Sequence, residues 1–199
     1  MSSPSLSSLI PRPDSELLIE QAVTHFANSL PAKILDLGTG SGALLLAALS
    51  EFADAKGVGI DASEEALAIA QQNAEHLELT DRAHFEFLDW TISDWTSSLP
   101  GPFDLILANP PYISTAAKLA PDVADYEPHR ALFAGEDGLD DYKIIIPALG
   151  HLLTIQGVAL LEIGFDQREA VSDIAEKHGY VVECKQDLGG NDRLLILKR

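Results

Sequence analysis

Apolar residues along this chain gather in short continuous runs, and those runs alternate with longer segments of helical spacing. Lys33-Ile34-Leu35-Asp36-Leu37 predicts a first buried strand, Gly57-Val58-Gly59-Ile60-Asp61 a second, and the alternating His84-Phe85-Glu86-Phe87-Leu88 a third. Phe103-Asp104-Leu105-Ile106-Leu107-Ala108 and Gly157-Val158-Ala159-Leu160-Leu161-Glu162-Ile163 predict a fourth and a fifth. Residues 180–185 and 193–198 read as two further strands with no helix between them, and Gly189-Gly190-Asn191-Asp192 in their connection is a hairpin signal. The helical segments are residues 43–52, a helix capped by Ser63 that runs through Glu75 or a little beyond, residues 139–153 with Asp140 or Asp141 near the start, and residues 167–178. Leu17, Leu18, Ala22, Val23 and Phe26 give one more helix ahead of the first strand, with Pro13 or Asp14 marking its start. Residues 114–130 carry three breaks and predict a loop with short helical pieces. Strand and helix alternate throughout, as an α/β fold requires. The expected architecture is a mostly parallel, seven-stranded, Rossmann-like sheet ending in an antiparallel hairpin.

Composition narrows the classes of function. With 199 residues, 46% of them hydrophobic, the chain can bury the core of one domain, assigned to residues 10–199 behind a flexible segment 1–9. The apolar runs are too short to span a membrane, and the Ser-rich start lacks the basic and apolar blocks of a secretory signal. Cys184 is the single cysteine, so no internal disulfide forms, which fits a reducing cytoplasm. Six scattered histidines and no cysteine cluster argue against structural zinc. The net charge of -18 repels a phosphate backbone. It turns the expectation away from nucleic acid and toward protein or small-molecule substrates, with a basic partner favoured.

Asn109-Pro110-Pro111-Tyr112 directly follows the fourth strand. The motif therefore sits at a strand's carboxyl end, where open α/β sheets bind ligands. Asn109 offers a side-chain carbonyl oxygen as acceptor. Pro110 has no N–H and offers only its carbonyl, whose direction is narrowed because Pro111 pushes it to extended geometry. Tyr112 supplies a flat ring that packs on something planar. Two acceptors and a ring suit a planar –NH2 group, holding both N–H bonds while the nitrogen faces an electrophile. A Pro-Pro turn that merely stops a strand accounts for the tetrapeptide alone equally well.

A second motif changes that balance. Asp36-Leu37-Gly38-Thr39-Gly40-Ser41-Gly42 joins the first strand to its helix, and its glycines allow a tight turn and a close ligand approach. The spacing is G-x-G-x-G rather than the dinucleotide G-x-G-x-x-G. Asp61 ends the second strand about twenty residues on, where an acidic side chain takes ribose hydroxyls. Ribose is common to S-adenosylmethionine and NAD, so Asp61 does not choose between them. The glycine spacing favours S-adenosylmethionine. So does Asp89-Trp90 after the third strand, which offers an acceptor near an adenine amino group and an apolar surface beside the ring; core packing is the competing role for Trp90. Asp36 lies where a methionine amino group or sulfonium belongs, with a structural hydrogen-bonding role as its alternative.

Together these stretches resemble one family. Ile10-Pro11-Arg12-Pro13-Asp14-Ser15-Glu16, residues 36–42, Asn109 to Tyr112, Tyr126-Glu127-Pro128 and the run from Ala131 to Asp140 are similar to the HemK/PrmC family. Its members are the glutamine-N5 methyltransferases of peptide chain release factors. Glu162-Ile163-Gly164 with Gln167, and Asp187-Leu188-Gly189-Gly190 to Arg193, resemble the family's late motifs. NPPY alone is shared with adenine and cytosine N-methyltransferases; the stretch from Tyr126 to Asp140 is more specific. The resemblance implies the class I S-adenosylmethionine-dependent methyltransferase fold, and as substrate the GGQ glutamine of class I release factors. It also implies cofactor contacts from Gly38, Thr39, Gly40, Ser41, Gly42, Asp61, Trp90 and Asn109, with Asn109, Pro110, Pro111 and Tyr112 on the glutamine amide. His129 is left as a loop residue, and Glu127 and Arg130 as substrate-facing or solvated. Members usually carry an N-terminal helical domain that helps grip the release factor. This chain starts just before the Pro-Arg-Pro motif without it, as a trimmed or a naturally short relative would. Ser15 stands where the family usually has Thr, which keeps the hydroxyl. A nucleic-acid amino methyltransferase shares the chemistry but not the charge. A nicotinamide-dependent oxidoreductase shares the sheet but not the glycine spacing, and an inactive binding module has no need of both motifs.

Overall fold

The structure, a computed structural model, describes residues 13–112 and 135–199. Helix α1 (Pro13–His25) leads into β1 (Lys33–Leu37), α2 (Ala43–Glu51), β2 (Lys56–Asp61), α3 (Glu64–His76) and β3 (Ala83–Phe87). A short 3-10 turn at Trp95–Ser98 precedes β4 (Phe103–Ala108). Then follow α4 (Asp140–Leu152), β5 (Leu153–Glu162), α5 (Arg168–Lys177), β6 (Val181–Gln186) and β7 (Asp192–Lys198). The expected loop at residues 114–130, the segment 1–9, and the Tyr126 to Ala134 part of the resemblance lie outside the described residues.

All seven strands form one sheet in the order β3-β2-β1-β4-β5-β7-β6. Strands β1 to β5 are parallel, and β7 runs antiparallel between β5 and β6. The expected sheet and hairpin are both present. The central strands are apolar on both faces because each face carries its own helical layer. Leu35, Leu37, Ile106, Ala108, Ala159, Leu161, Leu195 and Leu197 pack with Tyr142, Ile145, Ile146 and Leu149 of α4 and Val171 and Ala175 of α5. Ile34, Leu105, Leu107, Val158, Leu160, Leu194 and Ile196 pack with Leu18 and Ala22 of α1, Phe26 just after it, Leu44, Leu45, Leu46, Ala48 and Leu49 of α2, and Ala74 of α3. The alternation of neighbouring residues between these two groups is the period of two that a strand imposes. Ser63 caps α3 as expected: its Oγ accepts from the Ala66 N–H at 3.2 Å, with Glu64 and Glu65 in the first turn.

Most boundaries differ from the sequence reading by about a residue, and one differs by more. Helix α4 stops at Leu152 and β5 begins at Leu153, with no connection between them. Leu153 pairs with Phe103, and pairing resumes only at Val158 with Leu105. Residues 154–157 form an irregularity in the strand; Ile155 is 77% exposed there. Polar Thr154 and Gln156 interrupt the apolar run, which hid the strand's early start.

Along the chain, β1, β2 and β3 step one way across the sheet, and β4 returns to the other side of β1. The order therefore reverses between β1 and β4. Open α/β sheets bind ligands in the crevice outside the carboxyl ends of the two strands at such a switch point. Among the described residues, no helix is long and apolar enough to cross a membrane.

Candidate active site

The glycine turn leaves β1 at the switch point. Gly38, Gly40 and Gly42 have φ of 70°, 55° and 80°. This is the left-handed region that side chains with a Cβ rarely enter. The Thr39 N–H donates to the Ile60 carbonyl at 2.9 Å, so the turn stays tied to β2. From β2, Asp61 reaches back, with Oδ2 accepting from the Gly40 N–H at 2.8 Å and Oδ1 from the Ser63 N–H at 2.9 Å. Each carboxylate oxygen has a second lone pair, so both oxygens can still accept a hydroxyl. Asn73 of α3 donates to the Ser41 carbonyl at 2.9 Å and fixes the far side of the turn. Among the described residues, a Cβ on Gly40 would meet nothing within 4 Å.

Asp36 is completely buried on the α2 side of the sheet, and its Oδ2 accepts from the Thr39 hydroxyl at 2.6 Å. Burial raises its carboxyl from 3.8 to about 7, and the nearby Asp61 charge adds to that. The Thr39 hydroxyl and the Leu45 N–H in the first turn of α2 pull the other way. The structural role weighed for Asp36 is therefore present: it braces the turn from beneath.

Asp89 and Trp90 follow β3. Asp89 Oδ1 accepts from the Thr91 N–H at 2.8 Å and the Thr91 hydroxyl at 2.6 Å. The Trp90 ring lies across the glycine turn, such that a Cβ on Gly38 would come within 3.1 Å of its Cη2. Trp90 Nε1 donates to Asp141 Oδ1 of α4 at 2.6 Å, and the ring also packs against the core on the α4 face. The core role weighed for Trp90 and its place beside the turn thus coexist. Burial raises the Asp141 carboxyl, while the Trp90 bond lowers it.

The NPPY stretch leaves the adjacent strand. Ala108 pairs with Leu37 on one side and with Leu161 on the other. Gly38 and Asn109 therefore emerge at the same height from parallel strands about 4.8 Å apart, with Glu162 level on the far side. Asn109 is partly exposed, and among the described residues no hydrogen bond engages its carboxamide. The half-buried Tyr112 packs against the α4-side core, and its hydroxyl donates to Glu162 Oε1 over a long 3.4 Å. Tyr142 of α4 donates to the Glu162 carbonyl at 2.7 Å; its burial keeps the phenol protonated, with its pKa pushed up. Gln167, 8% exposed, donates from Nε2 to the Tyr112 carbonyl at 3.0 Å and the Gly138 carbonyl at 3.1 Å, and accepts from the Gly164 N–H at 3.0 Å.

The sequence-named residues Asp36, Gly38, Thr39, Gly40, Ser41, Gly42, Asp61, Asp89, Trp90, Asn109, Pro110, Pro111 and Tyr112 all fall on the carboxyl ends of β1 to β4 or the loops directly after them. Sequence reasoning assigned no role to Asn73, Asp141, Glu162 or Gln167. Glu162 and Gln167 were named only within the family's late motifs and Asp141 only as a possible helix start; Asn73 carried no signal.

The comparisons with known proteins bear on the same region. A family profile described as a methyltransferase domain matches residues 31–134. The chain is 42% identical over 202 residues to the release factor glutamine methyltransferase of Agrobacterium fabrum, covering 98% of this chain and 68% of that protein. It is 43% identical over 194 residues to the protein of the same name from Rhodospirillum rubrum, covering 96% of this chain and 58% of that one. The chain thus spans about two thirds or less of these relatives' lengths. Among solved structures, a release-factor-specific protein-(glutamine-N5) methyltransferase from Alicyclobacillus acidocaldarius aligns with a TM-score of 0.58 at 24% identity, over 100% of this chain and 99% of that one. A ribosomal protein L11 methylase from Lactobacillus delbrueckii aligns with a TM-score of 0.61 at 22% identity, over 94% of this chain and 78% of that one. These two share the class I S-adenosylmethionine-dependent methyltransferase fold. Carrying that fold, and with such identity to relatives of one name along almost its entire length, the chain belongs to the release factor glutamine methyltransferase family.

Proposed function

We propose that this methyltransferase uses S-adenosylmethionine to methylate the side-chain nitrogen of a protein glutamine, the GGQ glutamine of a class I release factor. One observation carries the reading: the pairing of Leu37 with Ala108 sets the glycine turn and the NPPY stretch side by side at the switch point. The turn's residues fit the cofactor. Asp61 keeps acceptor capacity for ribose hydroxyls, no described residue crowds the Gly40 backbone, and Trp90 walls the turn beside Gly38. When bound, S-adenosylmethionine supplies a methyl carbon made electrophilic by its sulfonium.

The chain's own residues hold the nucleophile. An amide nitrogen is weak because its lone pair is delocalised into the carbonyl. Asn109 Oδ1 and the Pro110 carbonyl accept the two amide N–H bonds, fix the nitrogen's direction and stabilise the positive charge it gains. The Tyr112 ring packs on the flat carboxamide. A methylated amide nitrogen is acidic enough to shed its proton to water, so no histidine base is assigned. The lone Cys184 agrees with a cytoplasmic setting. The acidic surface agrees with a protein substrate rather than a nucleic acid.

A thermal-shift comparison checks the cofactor. S-adenosylmethionine should raise the melting temperature and NAD should leave it unchanged; the reverse result removes the reading. Incubation with S-adenosylmethionine and a GGQ-containing release factor fragment should then add one methyl group to the glutamine, which peptide mass spectrometry locates.

A further inference from the structure

We propose that Gln167 is a positioning residue for methyl transfer, its buried carboxamide clasping the NPPY loop to the turn before α4 and the loop after β5. This rests on the functional reading above, because the loop it holds is the one assigned to the substrate amide. Gln167 spends its two N–H donors on the carbonyls of Tyr112 and Gly138, at 3.0 and 3.1 Å. Its Oε1 accepts from the Gly164 N–H at 3.0 Å. Tyr112 lies 55 residues away and Gly138 29, so one side chain joins three loops that share no secondary structure.

The clasp acts on Asn109 through the intervening chain. At one end Asn109 is anchored by β4, whose last residue, Ala108, is paired on both sides. Between Asn109 and Tyr112 stand two prolines, whose rings lock φ and remove two of the rotations that would let the segment relax. Fixing the Tyr112 carbonyl therefore fixes the far end of a stiff rod that carries the Pro110 carbonyl and the Asn109 carboxamide. The Tyr112 packing and the hydroxyl contact to Glu162 also touch this loop, but neither fixes the Tyr112 carbonyl. Misplacing two acceptors by about 1 Å lowers a rate that depends on alignment by about 100-fold. Gly138 shows how closely the parts fit. A Cβ there would lie 2.5 Å from the Tyr112 carbonyl oxygen and 2.7 Å from Gln167 Nε2.

The test is Gln167→Met, which keeps the side chain's length and removes both donors. Amide hydrogen exchange should speed at least about tenfold in the peptide holding Asn109 and Tyr112 and stay unchanged at Gly38 to Gly42, with the dissociation constant for S-adenosylmethionine within about twofold of wild type. Single-turnover transfer to the release factor should fall about 10- to 100-fold. A general structural role predicts something else: faster exchange at both loops and weakened cofactor binding, and that pattern overturns the proposal. So does transfer within twofold of wild type with the loop's exchange unchanged. Where the variant does not fold, the wild-type protein decides. Slow exchange of the Gln167 side-chain NH2 protons supports the clasp, and exchange at the rate of a free amide overturns it. A wild-type protein that binds S-adenosylmethionine but methylates no release factor defeats the functional reading alone, because the exchange pattern still judges the clasp.

Discussion

In the proposed mechanism Asn109 is the residue on which the chemistry turns. It sits between the glycine turn and Glu162, and no described neighbour occupies its carboxamide. Asn109→Ala should lower single-turnover methyl transfer about 100-fold or more, the scale of losing a preorganised polar contact to developing charge. Isothermal titration should show S-adenosylmethionine affinity changing far less. Tyr112→Phe should cost less than about tenfold, because the surface assigned to the substrate amide is the ring, which phenylalanine keeps. Asp36 makes a prediction in pH. Its folded carboxyl titrates near 7 against an ordinary 3.8, so the folded chain holds a proton that the unfolded chain releases between those values. The stability from that proton is full below 3.8 and is lost as pH rises through 7. Asp36→Asn keeps an acceptor for Thr39 and cannot titrate. Urea unfolding should therefore show the variant gaining on wild type from pH 4 to 7, with no further gain above. The glycine turn, Asp61 and the NPPY stretch were legible in the sequence because each has a local pattern. Gln167 was legible only as part of a motif of the family resemblance; its clasp was not, because its partners Tyr112 and Gly138 are backbone groups far away along the chain.

The elements make the site by where they stop. Strands β1 and β4 end at the same height, and α4 begins beneath both loops, with Asp141 holding Trp90 and Tyr142 holding the end of β5. The strands were read with small errors because runs apolar on both faces leave few alternatives. The early start of β5 was not, since a helix passing directly into a strand leaves no turn residue to mark the change. The turn before α4 carries its own prediction. Gly138 has φ of 73°, and an added Cβ meets backbone that cannot yield cheaply. Gly138→Ala should destabilise by about 1–3 kcal/mol, the range for forcing extra volume into a packed site. It should slow transfer more than it weakens cofactor binding; chemical denaturation and calorimetry on the same variant read the two effects.

At the scale of the whole molecule, the doubly wound sheet brings the two loops together at its switch point. The α/β class was legible from alternation alone, since strands separated by helical segments have few other ways to bury both faces. The residue pattern also carried the family resemblance, and the measured identities agree with it. What links fold to activity in the proposed mechanism is the delivery of a glutamine side chain to Asn109 beside the glycine turn. The most direct measurement is transfer of labelled methyl from S-adenosylmethionine to a full-length class I release factor, with the GGQ glutamine intact or replaced by alanine. The account predicts label on the intact factor, mapped to that glutamine, and none on the alanine form. Equal labelling of both forms, or label elsewhere on the factor, would contradict it.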